Sequence, residues 1–393
     1  MRIRLHCIIN SLAPQGAQNM LLRLLGRIDR ERFEPVVTTL IDQVPMARQF
    51  AEIEVPVRVL GVRSHLDGPL ALLRLVRQLR ADPPHIIQTW LYHADLFGGI
   101  AARLAGRAPV VWNIRHSNLE PQVNRRTTLL TAKACAHLSG WLPAKIICCA
   151  EAARQSHVQF GYAERRFEVI PNGFDLGKLS RQTQARREIR DELGIAEQTL
   201  VIGLVGRFHP QKDHRNFIQA AARFATRYPG LRFLLAGDEV QWDNRILVEW
   251  IQQAGLADKV SLLGRRDDIP RLLSAVDIAT SSSLGEGFPN AVGEAMACQV
   301  PCVVTDVGDS ALLVGDTGVV VPARNPQALA AAWEHLALMG EGQRRLLGER
   351  GRQRIREQFS LEAVVASYEK LYFDLFAATM GGKKKAGAAA ATY

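Results

Sequence analysis

The sequence contains no apolar run of about 18 residues, the length that a membrane-spanning helix requires. Its first residues, Met1–Asn10, have too short an apolar core and no small-residue cleavage site for a signal peptide, and they favour a first β-strand. Only 7% of the 393 residues are aromatic and 22% are charged, as in an ordinary globular protein. We therefore expect a cytoplasmic protein that is long enough for two domains.

Metal-binding and dehydrogenase motifs are also missing from the sequence. The six cysteines lack the spacing of a zinc site: Cys148 and Cys149 are adjacent, and Cys298 and Cys302 have no partner histidines close in sequence. Buried free thiols in a reducing compartment explain them better, so we expect no metal and no cofactor. No G-x-G-x-x-G motif follows the first predicted strand of either half, which disfavours a Rossmann dehydrogenase.

Positive charge is concentrated in the first half of the chain. Residues 1–175 hold 22 Lys and Arg against 14 Asp and Glu, whereas the remainder holds 27 against 25. A basic half can meet an anionic lipid surface, a phosphorylated acceptor or nucleic acid. Basic and aromatic residues do not alternate as they do in nucleic-acid-binding modules, so nucleic acid is the least favoured partner.

The second half alternates short apolar runs with helical patterns. Each run ends in glycine or polar residues, and the runs predict strands at Leu200–Val205, Phe233–Ala236, Val260–Leu263, Asp277–Thr280, Pro301–Thr305 and Gly318–Val321. The intervening patterns predict helices at Asn216–Tyr228, Trp242–Ala254 and Pro326–Leu338. Strands that alternate with helices form a parallel, doubly wound α/β sheet, and ligands bind beyond the carboxyl ends of its strands.

The first half repeats this pattern less regularly. It predicts strands at Ile3–Ile9, Pro35–Leu40, Val55–Leu60, His85–Thr89, Val110–Ile114, Lys145–Cys149 and Phe167–Ile170. A linker at Pro171–Ser180 and a helix at Ala185–Leu193 follow. The predicted domains are residues 1–175 and 176–360, with a C-terminal helix at 361–378 and a low-complexity tail at 379–393 that is disordered or artificial.

The most informative segment runs from Glu286 to Glu294 and has the sequence EGFPNAVGE. On one continuous helix the two carboxylates would lie about 80° apart, so a shared helix face does not explain their spacing. We instead predict Glu286 in a loop and Glu294 one turn inside a helix from Asn290 to Cys298. The free N–H groups at that helix N-terminus would lie between the glutamates and attract phosphate. Such a site suits a ligand with phosphate and hydroxyl groups, such as a nucleotide-sugar.

This segment and three others, in order, resemble the retaining glycosyltransferases of family 4. The other motifs are Val169–Asp175 (VIPNGFD), Gly206–Lys212 (GRFHPQK) and Leu235–Asp238 (LAGD), and the resemblance extends from residue 1 to about residue 375. It implies the GT-B fold, with two Rossmann-like doubly wound domains facing across a cleft. It further implies that the first domain binds the acceptor, the second binds the nucleotide-sugar, and the C-terminal helix crosses back to the first domain.

The resemblance also implies roles for residues of the second domain. Arg207 and Lys212 would stabilise charge on the donor diphosphate, Arg207 as a bidentate fork and Lys212 as a mobile point charge. Glu294 would accept hydrogen bonds from the ribose hydroxyls, and Glu286 would lie near the transferred sugar without having to be a nucleophile. The donor-binding segment between the glutamates would comprise Gly287, Phe288, Pro289 and Asn290. All of these except Pro289 would offer a backbone N–H to the sugar and phosphate.

In the first domain the resemblance implies weaker assignments. Family members often have two adjacent glycines and a glutamate after the first strand, whereas here Gly16 alone allows close approach of the backbone to the donor phosphate. His116 follows a predicted strand at a position where the family often has a catalytic histidine that reaches the transferred sugar. A structural, hydrogen-bonded histidine is the alternative. His93 and Arg115 are candidates for the acceptor side.

Two stretches of the first domain are both amphipathic and basic. They are Leu70–Leu79, which contains Arg74 and Arg77 and is followed by Arg80, and Thr127–Leu142, which follows Arg125 and Arg126 and contains Lys133 and Trp141. Each pattern fits a core-facing helix with a solvated basic face, or a helix that lies on an anionic membrane. Peripheral binding to the inner face of the plasma membrane is therefore an open hypothesis.

These observations predict a retaining, metal-independent hexosyltransferase. It would move a hexose or N-acetylhexosamine from a nucleotide-diphosphate sugar, with UDP favoured over GDP, to a free or lipid-linked saccharide during assembly of surface polysaccharide or glycoconjugates. One alternative is another GT-B enzyme, such as a nucleotide-sugar epimerase or a phosphorylase. The paired glutamates disfavour the epimerase, and the lack of a separate cofactor-lysine motif disfavours the phosphorylase. The other alternative is a binding-only nucleotide or saccharide module.

Overall fold

The computed structural model describes residues 2–63, 67–106, 108–115, 119 and 125–390, the side chains of residues 381–390 excepted. The chain divides into two compact units. The first comprises residues 1–173 together with 361–393, and the second comprises residues 174–360. The boundary between the two units therefore falls after Gly173, whereas the sequence analysis placed it after residue 175.

The first unit is built on a parallel sheet in the order β3-β2-β1-β4-β5-β6-β7. Its strands are β1 (Ile3–Ile9), β2 (Phe33–Thr39), β3 (Val57–Val59), β4 (Ile86–Trp90), β5 (Val110–Ile114), β6 (Lys145–Cys148) and β7 (Phe167–Val169). Its helices are α1 (Gly16–Arg27), α2 (Ala47–Glu52), α3 (Gly68–Ala81), α4 (Tyr92–Ala105), α5 (Arg126–Leu138) and α6 (Glu151–Gln159). Every residue of β4 and β5 is buried, because helices cover both faces of the sheet.

The second unit is built on a parallel sheet in the order β10-β9-β8-β11-β12-β13. Its strands are β8 (Val201–Val205), β9 (Arg232–Ala236), β10 (Val260–Leu262), β11 (Ile278–Ser281), β12 (Cys302–Thr305) and β13 (Gly318–Val321). Its helices are α7 (Thr183–Glu192), α8 (His214–Ala225), α9 (Arg245–Gln253), α10 (Ile269–Ala275), α11 (Asn290–Ala297), α12 (Ser310–Val314), α13 (Pro326–Leu338) and α14 (Gly340–Gln358). In its core Trp333 contacts the rings of Phe217, Phe224 and Phe233.

The last helix, α15 (Leu361–Ala390), belongs to the first unit and packs against its core. Tyr368 and Tyr372 of α15 are fully buried, and the Tyr372 hydroxyl donates a hydrogen bond to Oε1 of Gln88 on β4. Within the described residues the helix continues to Ala390, whereas the sequence analysis placed a disordered or artificial tail from residue 379.

A buried carboxyl group lies at the N-terminus of α4. Asp95 is 1% exposed, and its Oδ1 accepts hydrogen bonds from the Thr89 hydroxyl (2.5 Å) and the Asn113 backbone N–H (3.4 Å). Burial raises the pKa of Asp95 to about 7, although both hydrogen bonds act in the opposite direction. The folded chain therefore retains a proton on Asp95 at pH values where the unfolded chain has already lost it.

This proton makes the stability of the first unit depend on pH. Because the folded pKa lies above the ordinary value of 3.8, the contribution of Asp95 to the free energy of unfolding falls as the pH rises from 3.8 to about 7. Asp95→Asn keeps the Oδ1 acceptor but cannot ionise. We expect its stability relative to the wild type to rise by up to roughly 4 kcal/mol across this window.

Urea denaturation of both proteins at pH 5 and pH 8 measures this difference. Asp191→Asn, which changes an exposed carboxylate of α7, serves as the control and should show no such trend. A stability difference between wild type and Asp95→Asn that does not change with pH would contradict the assignment.

Candidate active site

The carboxyl edge of the second sheet gathers the predicted donor residues. Arg207 follows β8 and is exposed, and Lys212 lies in the short turn before α8. Glu286 lies in the loop after β11, and Glu294 lies one turn inside α11, as the sequence predicted. Strands β8 and β11 are neighbours in the sheet, so loops that are distant in sequence meet at this edge.

An ion pair joins two of these loops. The Lys212 ammonium donates a hydrogen bond to Oε1 of Glu286, and the Ser283 hydroxyl donates to the same oxygen over 2.6 Å. The side chains of Lys212 and Glu286 are 26% and 11% exposed, respectively. The ammonium group has three donors, so this bond leaves it able to donate to a ligand as well. The carboxylate thus fixes the direction of the cation without using up its donors.

The backbones of the same two loops are held together beside this ion pair. The Ser282 hydroxyl donates to the carbonyls of Lys212 (2.9 Å) and Asp213 (3.1 Å), and the Leu284 N–H donates to the Gln211 carbonyl (2.8 Å). The sequence analysis recognised the three serines as the end of a strand but assigned them no role. Their role is structural, since they fix the positions of Lys212 and Glu286.

The N-terminus of α11 is fixed by aromatic packing. Phe288 lies 6.0 Å from the ring of Phe174 and 5.7 Å from the ring of Phe359. Phe174 also fills the space beside Gly293, where an added Cβ would lie 1.9 Å from its Cζ atom. The VIPNGFD motif therefore contributes Phe174 to the packing that positions the helix. Sequence reasoning missed this contact, because nothing in the sequence pairs Phe174 with Gly293.

The loop after β12 supports the backbone on the other side of Glu286. Gly308 has φ +55°, and an added Cβ there would lie 2.3 Å from the Glu286 carbonyl oxygen. The next residue, Asp309, donates its backbone N–H to the Gly287 carbonyl over 3.1 Å. Only glycine tolerates both this conformation and this close approach. The Asp-Val-Gly-Asp sequence at a strand end was the available signal for this support.

A histidine next to the ion pair is buried and neutral. His214, at the start of α8, is 2% exposed and its ring lies 5.4 Å from that of Phe208. Burial lowers the pKa of His214 to about 4, and the charge of Lys212 acts in the same direction. His214 therefore packs beneath the site as an uncharged group at neutral pH.

The predicted residues of the first unit have different environments. Gly16 begins α1 with no atom within 4 Å of an added Cβ, so space for close approach to its backbone is present. His93 is exposed on the first turn of α4. His116 lies outside the described residues.

Arg115, a candidate for the acceptor side, makes structural contacts within the first unit. Its guanidinium donates to Asn172 Oδ1 and to the Tyr368 hydroxyl, each over 2.5 Å, and lies 4.6 Å from the centre of the Trp90 ring. These contacts join the end of β5 to α15 and to the segment after β7. Through these contacts Arg115 links the C-terminal helix to the rest of the first unit.

The described residues were also compared with the requirements for a metal site and for a membrane-spanning helix, and neither is met. Within the described ranges, no group of three or more His, Cys, Asp or Glu residues is placed to hold a metal ion. Among the helices of those same ranges, none combines the length and hydropathy needed to cross a membrane. All six cysteines are buried free thiols, as predicted.

The chain is similar to known glycosyltransferases over both units. The family profile for group 1 glycosyl transferases matches residues 199–338, and that for glycosyltransferase family 4 matches residues 14–178. Over 248 residues the chain is 29% identical to the UDP-Gal:α-D-GlcNAc-diphosphoundecaprenol α-1,3-galactosyltransferase of Escherichia coli, covering 62% of this chain and 63% of that relative. EpsF of Bacillus subtilis (strain 168) is 28% identical over 306 residues, 76% of this chain and 78% of EpsF.

The structure has the same fold as a solved structure. HepE of Anabaena in complex with UDP has a TM-score of 0.82 and 23% sequence identity, over 95% of this chain and 100% of HepE. The two doubly wound parallel sheets and the likeness to HepE define the GT-B fold. Within that class, the chain belongs to glycosyltransferase family 4.

The packing at α11 makes a prediction about Gly293. Gly293→Ala would force Phe174 and the helix apart, because the new Cβ would overlap the ring. We expect a loss of roughly 1–3 kcal/mol in the stability of the second unit. Gly342→Ala is the matched control, since this exposed glycine of α14 has open space around an added Cβ. That change should be neutral or stabilise by up to about 1 kcal/mol. Thermal denaturation of both variants measures these changes in stability. Equal melting temperatures for Gly293→Ala and Gly342→Ala would show that Phe174 does not restrict the residue at position 293.

Proposed function

We propose that this protein is a retaining glycosyltransferase that moves a hexose or N-acetylhexosamine from a UDP-sugar to a saccharide acceptor. The observation that carries the proposal is the Lys212–Glu286 ion pair beside the N-terminus of α11, with Glu294 one turn inside that helix. A cation, a helix N-terminus and a carboxylate together suit the diphosphate and ribose hydroxyls of such a donor.

The proposed chemistry depends on stabilising the departing diphosphate. As the bond between the sugar and the phosphate breaks, negative charge grows on the leaving oxygen, and Lys212 and Arg207 neutralise it. Glu286 holds Lys212 in position before the reaction, so little reorganisation is needed when the charge develops. Both cations are side chains of the protein, and the proposed reaction therefore needs no metal ion. In the first unit, Gly16, His93 and His116 remain candidates for contacts with the sugar and acceptor.

The nature of the donor and acceptor is inferred from a relative. The Escherichia coli galactosyltransferase described above is named for UDP-Gal as its donor and for a GlcNAc carried on diphosphoundecaprenol as its acceptor. Its similarity to this chain supports a UDP-linked hexose and a lipid-linked saccharide. Such an acceptor would place the protein at the inner face of the plasma membrane, in the assembly of surface polysaccharide or glycoconjugates.

A binding-only module is the second candidate. It is disfavoured because Lys212, Glu286, Glu294 and Arg207 are all present, and the first two form an ion pair. Turnover of a UDP-sugar with a saccharide acceptor distinguishes the two candidates.

The proposal predicts selective binding of uridine nucleotides. Among UDP, GDP and ADP, UDP should raise the melting temperature most, because a ligand that binds only the folded state stabilises it. Glu294→Ala should weaken UDP binding roughly 10- to 100-fold, the usual effect of losing hydrogen bonds to a charged group. Thermal-shift titration and calorimetry measure both effects.

The matched control is Glu249→Ala, which removes an exposed glutamate from α9 of the same unit. This variant should bind UDP as the wild type does. If a folded wild-type protein bound none of the three nucleotides, the proposed function would be wrong. If both glutamate variants lost affinity equally, the role of Glu294 would be wrong.

A further inference from the structure

Three neighbouring helices form one layer on the first unit. The connections β3-α3-β4, β4-α4-β5 and β5-α5-β6 all run in the same direction along the sheet, and such right-handed connections place their helices on the same face. Helix α3 packs against α4, and α4 packs against α5. The two amphipathic stretches recognised in the sequence are therefore parts of one continuous surface, to which α4 adds a third element.

This layer exposes large apolar side chains. Helix α3 buries Ala71, Leu75, Val76 and Leu79 against the rest of the unit, so its core-facing side is already complete. Five large apolar residues of the layer and of the turn after α5 are nevertheless exposed, with exposed fractions of 50% for Leu70, 52% for Leu73, 51% for Leu104, 67% for Leu130 and 58% for Trp141. Most of the exposed large apolar residues of the first unit lie here, and core packing does not account for them.

The exposed charges within the three helices have one sign. They are Arg74, Arg77, Arg80, Arg103, Arg126 and Lys133, and the exposed Arg125 precedes α5. The one acidic residue within these helices, Asp95, is buried, while Asp67 and Asp82 flank α3 at its two ends. Helix α14, by contrast, carries charges of both signs. The basic excess seen in the first half of the sequence is therefore concentrated on this surface.

Two contacts connect the basic and apolar residues between helices. The Arg103 guanidinium lies 4.9 Å from the centre of the Trp141 ring. Arg80 of α3 donates to the carbonyl of Leu104 at the end of α4, over 2.8 Å. The cations thus lie among the exposed apolar side chains rather than forming a separate patch.

We propose that this layer, the α3–α4–α5 face, binds the surface of an anionic lipid bilayer. Leucines and a tryptophan enter the interfacial region while arginines and lysine contact lipid phosphates, and each basic residue near such a surface strengthens binding about fivefold. A folded protein partner would favour an apolar centre with a polar rim, whereas here cations and leucines intermix. Nucleic acid would not account for the exposed leucines.

The α3–α4–α5 face also has a geometric relation to the acceptor side of the first unit. Helices α4 and α5 begin at the carboxyl edge of its sheet, where His93 lies on the first turn of α4. A bilayer against this face would therefore deliver a lipid-linked acceptor to that edge. This consequence rests on the proposed function, whereas binding of the bilayer does not.

Vesicle flotation tests the proposal with the full-length protein. The vesicles contain phosphatidylcholine alone or with one third phosphatidylglycerol. The wild type should float with the anionic vesicles and remain behind with the neutral ones, and added salt should weaken this recovery. The triple variant Arg74→Ser, Arg77→Ser, Arg126→Ser should bind roughly 100-fold more weakly.

Matched controls are available on the second unit. Arg187→Ser, Arg215→Ser, Arg245→Ser removes the same charge from exposed positions, and Trp242→Ala matches Trp141→Ala on a residue that is 49% exposed. Both controls should float as the wild type does, while Trp141→Ala should float less. Equal recovery on neutral and anionic vesicles, or equal loss in the two triple variants, would overturn the proposal. Binding to RNA or to an acidic protein without binding to vesicles would also overturn it.

Nucleotide binding separates this inference from the proposed function. The face variants should keep the UDP-induced shift in melting temperature, because their substitutions lie on the first unit and the donor residues on the second. If the wild-type protein floats but binds no nucleotide, bilayer binding by the α3–α4–α5 face would stand and the proposed transferase function would be wrong. If it binds UDP but does not float, only the proposed bilayer binding by the α3–α4–α5 face would be wrong.

Discussion

The ion pair between Lys212 and Glu286 is the interaction on which the proposed site depends. The two residues are 74 positions apart in sequence and meet because β8 and β11 are adjacent parallel strands. Both side chains are largely removed from water, so loss of either partner would leave a poorly solvated charge. Ser282 bonds the backbone of Lys212, Gly308 lies against the backbone of Glu286, and the Ser283 hydroxyl donates to the Glu286 carboxylate. The proposed site therefore depends on loops and helix ends that the parallel sheet brings together at one edge.

The strands and their order along the chain were predictable because a parallel strand buried on both faces appears as a continuous apolar run. Each predicted strand is present, and β1, β5 and β13 have the predicted bounds. The loop position of Glu286 and the helical position of Glu294 followed from the rules for helix starts, which act over a few residues. These features depend on local sequence, so local sequence suffices to find them.

Contacts between distant segments were not predictable in the same way. Gly293 has to be small because of Phe174, and Arg115 is engaged by Tyr368, which is 253 positions away. The arginine was a candidate for acceptor binding, and nothing in the sequence indicated its contacts with Asn172 and Tyr368. Leu104 and Arg103 of α4 gave no amphipathic signal of their own, and only the packing of α3, α4 and α5 joins them to one surface.

In the proposed function, the carboxyl edge of the second sheet binds the donor nucleotide. Hydrogen–deuterium exchange with and without UDP tests it most directly, because backbone amides report the binding site residue by residue. If this edge binds the nucleotide, UDP slows exchange at residues 206–212 and 283–294 and leaves exchange in α3, α4 and α5 unchanged. Slower exchange confined to the first unit, or no change in exchange at a UDP concentration that stabilises the protein, would show that this edge does not bind the donor nucleotide.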